Sequence, residues 1–317
     1  MDWLSRFLEI VPVSGHLDTR CLYAAPWRLA FETARPGEIP YHIIVSGTAT
    51  LEDPGGRSPQ PLTAGDILLF PHGVAHTLHD GSGKRPKPAK QKPSLNLTIS
   101  KNAGKGDRLD MLCGHFVVPQ PYGRHLQDYL PPRLIIHTDI NDVSGVNSGS
   151  KLQLANLISL MRNEATSERV GGHAMLNALS AAMFALTLRL AGESDLAPKG
   201  LLALAGAPRL SPALSAMFND PAHPWSLPEL ASLCNMSRAT FVRHFHQAMG
   251  RSASDLLLEI RMSLAAKQLR QSSSSTGEIA EAVGYHSEAA FQRAFKRHMS
   301  VTPAQWRRTV HSTKLAR

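Results

Sequence analysis

Cysteine is scarce in this chain of 317 residues, which contains only three. Three cysteines in a chain of this length cannot build the dense disulfide framework of a small secreted domain. No apolar run reaches the ~18 residues expected of a membrane-spanning helix, because the nearest approach, 174–191, is interrupted by Asn177 and Arg189. Residues 1–3 are acidic rather than basic, unlike the start of a signal peptide. These absences predict a cytoplasmic protein that makes no membrane contact.

Acidic residues are also fewer than basic ones, 25 against 34, which gives a net charge of +9. The excess is uneven, because residues 209–317 hold 14 basic and 7 acidic side chains, whereas residues 1–208 hold 20 and 18. A basic excess confined to one region is the electrostatic pattern of a surface that binds nucleic-acid phosphates. The length favours two domains. The basic excess predicts that the nucleic-acid-binding domain lies in the last third of the chain.

The last third of the chain contains the same short pattern twice, at 230–245 and 279–295. Each copy starts with an apolar residue and alanine, continues through a polar turn and reaches a serine that can cap a second helix. Four positions recur 50 residues apart, namely Ser237 and Ser287, Phe241 and Phe291, Arg243 and Arg293, and Phe245 and Phe295. The repetition predicts two helix-turn-helix motifs.

The second helix of each motif has two phenylalanines four residues apart, which predicts one buried face and one exposed face. In such motifs the exposed start of this helix contacts base edges in the major groove. Arginine can donate two hydrogen bonds to guanine, and alanine can pack against a thymine methyl group. Serine and lysine can bind the phosphates of the DNA backbone. The candidate DNA-contacting residues are Ser237, Arg238, Ala239, Val242, Arg243, Ser287, Glu288, Ala289, Gln292, Arg293, Lys296 and Arg297.

Between the two motifs, residues 252–271 contain no Gly or Pro and carry regularly spaced apolar residues. They predict one helix of about 20 residues, roughly 30 Å long. Two recognition helices joined by it would lie near one DNA turn apart, about 34 Å. The alternative is a plain helical bundle whose arginines form a solvated face. Two copies in matched register argue against that alternative.

These residues resemble the DNA-binding domain of the AraC/XylS family of bacterial transcription regulators, over about the last third of the chain. The second copy carries the family pattern at Ile279, Ala280, Val283, Gly284, Tyr285, Phe291, Phe295, Lys296, Thr302, Pro303, Trp306 and Arg307. Ser300 stands where the family usually has glycine, and Tyr285 and Trp306 are conservative departures. The resemblance implies a sequence-specific activator that binds double-stranded DNA and RNA polymerase and forms a homodimer.

From residue 13 to residue 118 the chain has short alternating segments separated by Gly and Pro, which predicts antiparallel strands. Residues 65–76 have a glycine, then Pro-x-Gly, then a histidine, and resemble the second sequence motif of cupin barrels. Residues 42–49 resemble the first cupin strand pair. The resemblance implies a jelly-roll barrel with an internal pocket.

His42 and His76 are the candidate metal ligands of this barrel. Metal-binding cupins usually offer His-x-His and a glutamate in the first motif, but Ile44 occupies the second ligand position here and the glutamate is absent. Two imidazoles do not complete a metal site. The preferred interpretation is that both histidines are hydrogen-bonded structural residues and that the protein has no cofactor. A cupin oxygenase or isomerase with an accessory DNA-binding module is the less favoured, enzymatic alternative.

The resemblance also bears on Cys21 and Cys113. AraC-type proteins with such a cupin often carry a Leu-Cys-Gly segment where this chain has residues 112–114. The opening pattern of residues 1–8, together with Cys21 and His42, resembles a member of the family that responds to reactive chlorine. This implies that the two cysteines are oxidised as a switch pair, since thiolates are targets of such oxidants. The alternative is that both are small buried core residues, and that the regulator instead binds a small-molecule or metal effector in the barrel.

The other segments complete the domain organisation. Residues 1–191 are predicted to form the sensing domain, in which the basic, Pro- and Gly-rich stretch 81–110 is a solvated loop. Helices at 152–165 and 173–191 carry apolar stripes and, by resemblance, dimerise the protein. A linker at 192–208 then leads to the all-helical DNA-binding domain, 209–310. The predicted fold is therefore a two-domain α+β protein.

Overall fold

The computed structural model describes residues 1–52, 58–118, 130–138, 148–193 and 200–308. The chain divides into two compact units. The sheet unit comprises Val13–Pro198, and the helical unit comprises Met1–Pro12 together with Lys199–Arg317. Part of the predicted linker, 194–199, and the end of the predicted DNA-binding domain, 309–310, lie outside the described residues.

The sheet unit contains two sheets, and strands such as β4 and β7 alternate between buried and partly exposed side chains. The strands are β1 Ser14–Ala24, β2 Arg28–Phe31, β3 Glu38–Ser46, β4 Ala49–Glu52, β5 Gln60–Leu62, β6 Ile67–Leu69, β7 His76–His79, β8 Ala89–Pro93, β9 Thr98–Asn102, β10 Arg108–Val117 and β11 Leu134–Ile136. Seven form one sheet in the order β11-β6-β3-β10-β1-β9-β8, and four form the other in the order β2-β7-β4-β5. The predicted cupin-like unit is confirmed, but the described strands form two sheets rather than one closed barrel.

Apolar side chains from both sheets meet in one core, which includes Ile44, Leu68 and Met111 from the larger sheet and Leu51 and Leu78 from the smaller one. All five are at most 1% exposed. Strand alternation places these side chains inward, since successive residues of a strand point to opposite faces. Burial of this apolar surface is what holds the two sheets face to face.

The basic segment 81–110 differs from the expected solvated loop. Residues of β8 and β9 form an antiparallel ladder, and β9 pairs in parallel with β1. The inward side chains of β9 are polar: Ser100 Oγ lies 2.6 Å from Tyr23 Oη, and Asn102 bonds the backbone of Ala24. Because these contacts replace an apolar alternation, the sequence pattern did not show the strands, and the loop expectation is corrected.

Two helices, α2 Ser148–Thr166 and α3 Gly172–Gly192, complete the sheet unit near the positions predicted for the dimerisation helices. Gly15 of β1 permits the close approach of α3, because a Cβ atom there would lie 2.6 Å from Ser180 Cβ. Among the described helices, only α3 is long and apolar enough to cross a membrane by length and composition. Its buried residues, such as Leu176 and Met183, account for that composition within a packed fold.

The helical unit consists of α1 Trp3–Ile10, α4 Leu201–Ala205, α5 Ser211–Asn219, α6 Leu227–Leu233, α7 Arg238–Met249, α8 Ala253–Gln271, α9 Thr276–Ala282 and α10 Glu288–Met299. Ser226, Ser252 and Ser275 start three of these helices with reciprocal capping boxes. The long connecting helix predicted at 252–271 is confirmed as α8. The N-terminal helix α1 packs in this unit, whereas the predicted boundaries assigned residues 1–12 to the sensing domain.

Candidate nucleic-acid interface and buried thiol pair

The first helix-turn-helix is formed by α6 and α7. Ser237 caps α7, since its Oγ accepts the Thr240 N–H at 3.2 Å. Asn235 in the turn adopts φ 52°, a left-handed conformation that asparagine tolerates. Phe241 and Phe245 are buried, with ring centroids 5.5 Å apart. The predicted division of α7 into a buried and an exposed face is confirmed.

The second motif, α9 and α10, repeats this construction. Ser287 Oγ accepts the Ala290 N–H at 3.4 Å, and Phe291 and Phe295 are fully buried. Gly284 takes the turn position with φ 84°, a value that other residues rarely adopt. The same local physics therefore orients both recognition helices, α7 and α10.

All twelve candidate DNA-contacting residues are exposed. On α7 the exposed start offers two guanidinium groups, Arg238 and Arg243, with the apolar Val242 between them. On α10 the Gln292 amide donates to Glu288 at 2.8 Å, so these two side chains are paired in the free protein. Arg293 follows Gln292 on the exposed face. The two helices therefore present different chemical surfaces.

In the sheet unit, the structure brings Cys21 and Cys113 together. Cys21 lies on β1 opposite Met111, and Cys113 lies on β10 opposite Thr19. The two cysteines are thus diagonal neighbours on one face of adjacent strands, and their sulfur atoms are 3.9 Å apart. Both are reduced and buried. The third cysteine, Cys234, belongs to the core of the first helix-turn-helix, as expected.

The two candidate metal ligands adjoin this thiol pair. His42 lies on β3 opposite Cys113, and its Nδ1 is 3.2 Å from the Cys113 sulfur. His42 Nε2 is 2.8 Å from His76 Nε2, and His76 Nδ1 is 2.9 Å from the carbonyl oxygen of Val74. Sequence reasoning treated the cysteines and the histidines as separate sites, whereas they form one cluster.

The donors and acceptors available in the cluster determine the direction of each of its hydrogen bonds. The Val74 carbonyl can only accept, so His76 Nδ1 carries a proton and the neutral ring accepts at Nε2. His42 must then donate from Nε2 and accept at Nδ1, which leaves the Cys113 thiol as donor to His42. The Cys21 thiol can in turn donate to Cys113. The cluster is therefore a directed chain of four proton donors that starts at Cys21 and ends at the Val74 carbonyl.

The surroundings keep both rings neutral. Burial holds the pKa of His42 well below its usual value, and burial lowers the pKa of His76 to about 4. Phe70 stacks on His76 with ring centroids 3.6 Å apart, and Phe31 covers its other side at 4.8 Å. The sequence did not indicate that these two phenylalanines belong to the cluster. Phe31 is the last residue of β2, and Phe70 directly follows β6.

The thiols differ in acidity. Once Cys21 has passed its proton to Cys113, the Cys113 thiol donates to the Cys21 thiolate, and this hydrogen bond lowers the pKa of Cys21. Sharing its proton with Cys21 raises the pKa of Cys113, and burial raises it further. If the protons of Cys21, Cys113 and His42 each move one place along the chain, Cys21 becomes a thiolate and His76 becomes an imidazolium, a charged form that its burial disfavours. The structure therefore distinguishes Cys21, the more acidic thiol, from Cys113, the thiol that relays the proton.

The ring nitrogens of the candidate metal ligands are engaged in hydrogen bonds within the cluster. Each ring nitrogen of His42 and His76 already has a hydrogen-bond partner in the cluster. Within the described parts of the chain, no group of three or more His, Cys, Asp or Glu residues is arranged to hold a metal ion. The hydrogen-bonded structural role of His42 and His76 stays a prediction.

The outer face of the same two strands carries a charged contact that sequence reasoning missed. Arg20, next to Cys21, makes two hydrogen bonds to Asp110, at 2.9 and 2.7 Å. Arg20 Nη1 also donates to Thr166 Oγ1 of α2 at 2.7 Å. Asp110 is also 3.8 Å from Arg162 of α2. The ladder that holds the thiols is thus joined directly to the C-terminal end of α2.

Comparison with known proteins matches both units. The family model of a cupin matches residues 2–191, and that of a helix-turn-helix domain matches residues 230–309. An uncharacterized HTH-type transcriptional regulator of Haemophilus influenzae is 30% identical over 98% of this chain and 99% of its own. The RCS-specific HTH-type transcriptional activator RclR of Escherichia coli is 27% identical over 98% of both chains. A solved AraC-type transcriptional regulator from Chromobacterium violaceum is 31% identical over 33% of this chain and 93% of its own, with a TM-score of 0.32.

Proposed function

Because this chain belongs to the AraC family of helix-turn-helix transcriptional regulators with a cupin domain, we propose that oxidation of Cys21 and Cys113 controls its activity at DNA. The protein is a DNA-binding transcriptional regulator and not an enzyme. The observation that supports the oxidative signal is the 3.9 Å separation of the two sulfurs, at the start of the directed chain of hydrogen bonds that leads to His76. One relative is named as RCS-specific, and that name points in the same direction.

The proposed chemistry uses a hypohalous acid as oxidant. The Cys21 thiolate attacks the chlorine of hypochlorous acid, an S–Cl bond forms, and hydroxide leaves and takes up a proton. The Cys113 sulfur then attacks Cys21, the S–Cl bond breaks, chloride leaves, and Cys113 loses its proton to the neighbouring His42. The two thiols together lose two electrons, which the oxidant accepts. The product is a Cys21–Cys113 disulfide.

We expect disulfide formation to move the strands that carry the two thiols. The sulfur atoms must close from 3.9 Å to about 2.05 Å, the length of a disulfide bond. Both thiols lie on the β1–β10 ladder, so we expect this closure to shift one strand against the other. Arg20, Asp110 and Thr166 join that ladder to α2, which gives the displacement a path to the helices. A local redox event can in this way bias a domain with two arrangements.

The helices α2 and α3 are the proposed homodimer interface. Four large apolar side chains stand exposed on them and on the turn between them: Leu152, Leu160, Val170 and Met175. Apolar residues exposed in one region are typical of surfaces that bind another protein. We expect a cytoplasmic homodimer that activates transcription by contact with RNA polymerase at the promoter.

In the DNA complex, Arg243 and Arg293 are expected to read guanine, and Ala239 and Ala289 to meet thymine methyl groups. Lys296, Arg297 and the two capping serines are expected to bind phosphates. We expect Arg243→Ala to weaken specific binding by about 1–3 kcal/mol and to leave binding to random DNA nearly unchanged. Titration of both DNAs at one salt concentration measures the difference. Equal losses on the two DNAs would contradict a base contact.

The thiol proposal is tested by treating the reduced protein with stoichiometric hypochlorous acid and measuring DNA binding, promoter output and the peptide disulfide by mass spectrometry. We expect a Cys21–Cys113 disulfide and a changed output in the wild type, and neither in Cys21→Ser or Cys113→Ser. Cys234→Ser is the matched control, since this cysteine lies in the helical unit and should leave the response intact. An undiminished response in both serine variants would contradict the proposal and favour a small-molecule effector.

A further inference from the structure

Arg261 lies in the middle of α8, the helix that connects the two helix-turn-helix motifs. Its guanidinium donates to three consecutive carbonyl oxygens, those of Pro221 at 2.6 Å, Ala222 at 3.3 Å and His223 at 2.9 Å. A guanidinium presents its donors in a rigid planar fork, so these bonds fix both the position and the orientation of the segment 221–223. The contact is partly buried, which strengthens it relative to a solvent-exposed one.

The same segment is held from a second direction by the turn of the second motif. A Cβ atom on Gly284 would lie 2.4 Å from the Ala222 carbonyl oxygen and 3.0 Å from the Ala222 Cα. No side chain fits this gap, and the φ of 84° at Gly284 excludes most other residues independently. The peptide of Ala222 is therefore clamped between Arg261 of the connecting helix and Gly284 of the second motif.

Segment 221–223 belongs to the first motif. It connects α5 to α6, and Ser226 starts α6 with a capping box that includes Glu229. The indole N–H of Trp225 donates to the Asp220 carbonyl at 2.8 Å, and the His223 ring lies against Trp225 at 4.2 Å. These contacts close the segment into a compact turn, so a force on residues 221–223 is passed to α6 and from there to the recognition helix α7.

We propose that Arg261 and Gly284 are positioning residues that fix the distance and angle between the recognition helices α7 and α10, and thereby set the spacing of the two DNA segments that the protein reads. Neither residue contacts DNA in this proposal. The inference rests on the DNA-binding function and is independent of the thiol chemistry. The length of α8 sets the distance between the two recognition helices. The clamp is a second determinant, because it sets their relative rotation about the axis of α8.

Spacing is a sensitive readout because DNA is helical. One inserted base pair moves a major-groove site by about 3.4 Å and rotates it by about 35° around the axis. A rigid pair of recognition helices would lose one of its two contacts after such a change. A pair whose relative orientation is flexible could contact both sites after the change, and it would lose less affinity than the rigid pair.

The experiment uses the full-length protein and a preferred duplex selected from random DNA. The affinity for this duplex is compared with that for duplexes with one base pair inserted or deleted between the two contacted segments. We expect the wild type to discriminate sharply. Arg261→Met should reduce the ratio of affinities between the preferred and the altered spacing by roughly threefold or more, as for other coupled residues. Arg261→Lys, which keeps the charge but loses the fork, should give an intermediate ratio.

Arg270→Met, on the last turn of the same helix, is the matched control and should keep the wild-type ratio. Gly284→Ala tests the other side of the clamp: its Cβ would displace the Ala222 peptide, so this variant, if folded by circular dichroism, should also reduce the ratio. If Arg261→Met proves unfolded by circular dichroism, the Arg261→Lys ratio decides alone. Equal loss of affinity at every spacing would overturn the proposal, since it would show a general loss of stability. An unchanged ratio in folded variants would overturn it as well.

Discussion

The surroundings of His76 determine the direction of the hydrogen bonds that reach the thiol pair. Its side chain lies between Phe31 and Phe70, and its protonated nitrogen bonds the Val74 carbonyl. The remaining nitrogen is then committed to His42, which in turn accepts the proton of Cys113. One carbonyl oxygen at the end of the chain therefore sets the direction of every hydrogen bond in the cluster.

We predict that His76→Phe slows the reaction of Cys21 with a thiol-alkylating reagent at neutral pH by a factor of about 10 or more, because the final proton acceptor is lost. The Cys113 bond lowers the pKa of Cys21, so the thiolate of the wild type forms at lower pH than an ordinary cysteine thiolate. The substitution should move the midpoint of the rate against pH upward. Alkylation rates over a pH series, read by mass spectrometry, measure both effects.

His79→Phe is the control for this prediction. His79 lies on the same strand, three residues further on, but it pairs with Glu52 and has no place in the chain of hydrogen bonds. Its substitution should leave the alkylation rate and its midpoint unchanged. A wild-type rate in His76→Phe would show that the thiol is ionised by its neighbours alone and that the histidines have no role in it.

At the scale of elements, α1 shows that position in the chain does not decide domain membership. Phe7 is buried and packs edge-on against Phe218 of α5, with ring centroids 6.2 Å apart. Lys267 of α8 donates to the Glu9 carbonyl at 2.5 Å. The amphipathic pattern of residues 2–10 predicts the helix, but it cannot identify the surface that its apolar face covers.

We predict that Phe7→Ala destabilises the packing of α1, α5 and α8 by about 3–5 kcal/mol, the usual cost of truncating a buried phenylalanine. Hydrogen exchange of the full-length protein should show faster exchange in α5 and α8, with little change in the strands of the sheet unit. Glu9→Ala is the control, because it removes only a surface ion pair with Arg6, worth ~0–1 kcal/mol. Unchanged protection of α5 and α8 in Phe7→Ala would refute the packing role of α1.

At the scale of the whole molecule, the exposed apolar side chains of α2 and α3 govern the proposed assembly. We predict that Leu160→Glu combined with Met175→Glu shifts the protein from dimer to monomer in sedimentation equilibrium, since two charges would have to be buried in the interface. Binding to a DNA with two sites should weaken as a result. Gln153→Glu, at an exposed polar position of α2, adds a charge without removing an apolar contact and should leave the dimer intact.

If the double variant remains a dimer at the same protein concentration, the interface lies elsewhere. The outcome also bears on the signal. The Arg20 and Asp110 contacts lead from the thiol ladder to α2, so a dimer built on this helix would respond to a strand displacement. A dimer built on another surface would require a different route.

The sequence by itself determined the helix-turn-helix repeat, the capping serines, the buried phenylalanine faces and the connecting helix. These depend on local periodicity and on side chains that bond their own backbone within three or four residues. It also indicated a cupin-like sheet unit from a short motif. It failed at 89–102, because the two strands there are paired through polar contacts and show no apolar alternation.

Only the tertiary structure decided which distant residues meet. Cys21 and Cys113 are 92 positions apart, and the strand register alone brings their sulfurs to 3.9 Å and adds His42 and His76 to them. Likewise, Arg261 gives no sign in the sequence that it holds the segment 221–223. Contacts of this kind arise from the packing of whole elements, whose relative placement depends on the entire core and not on any local pattern.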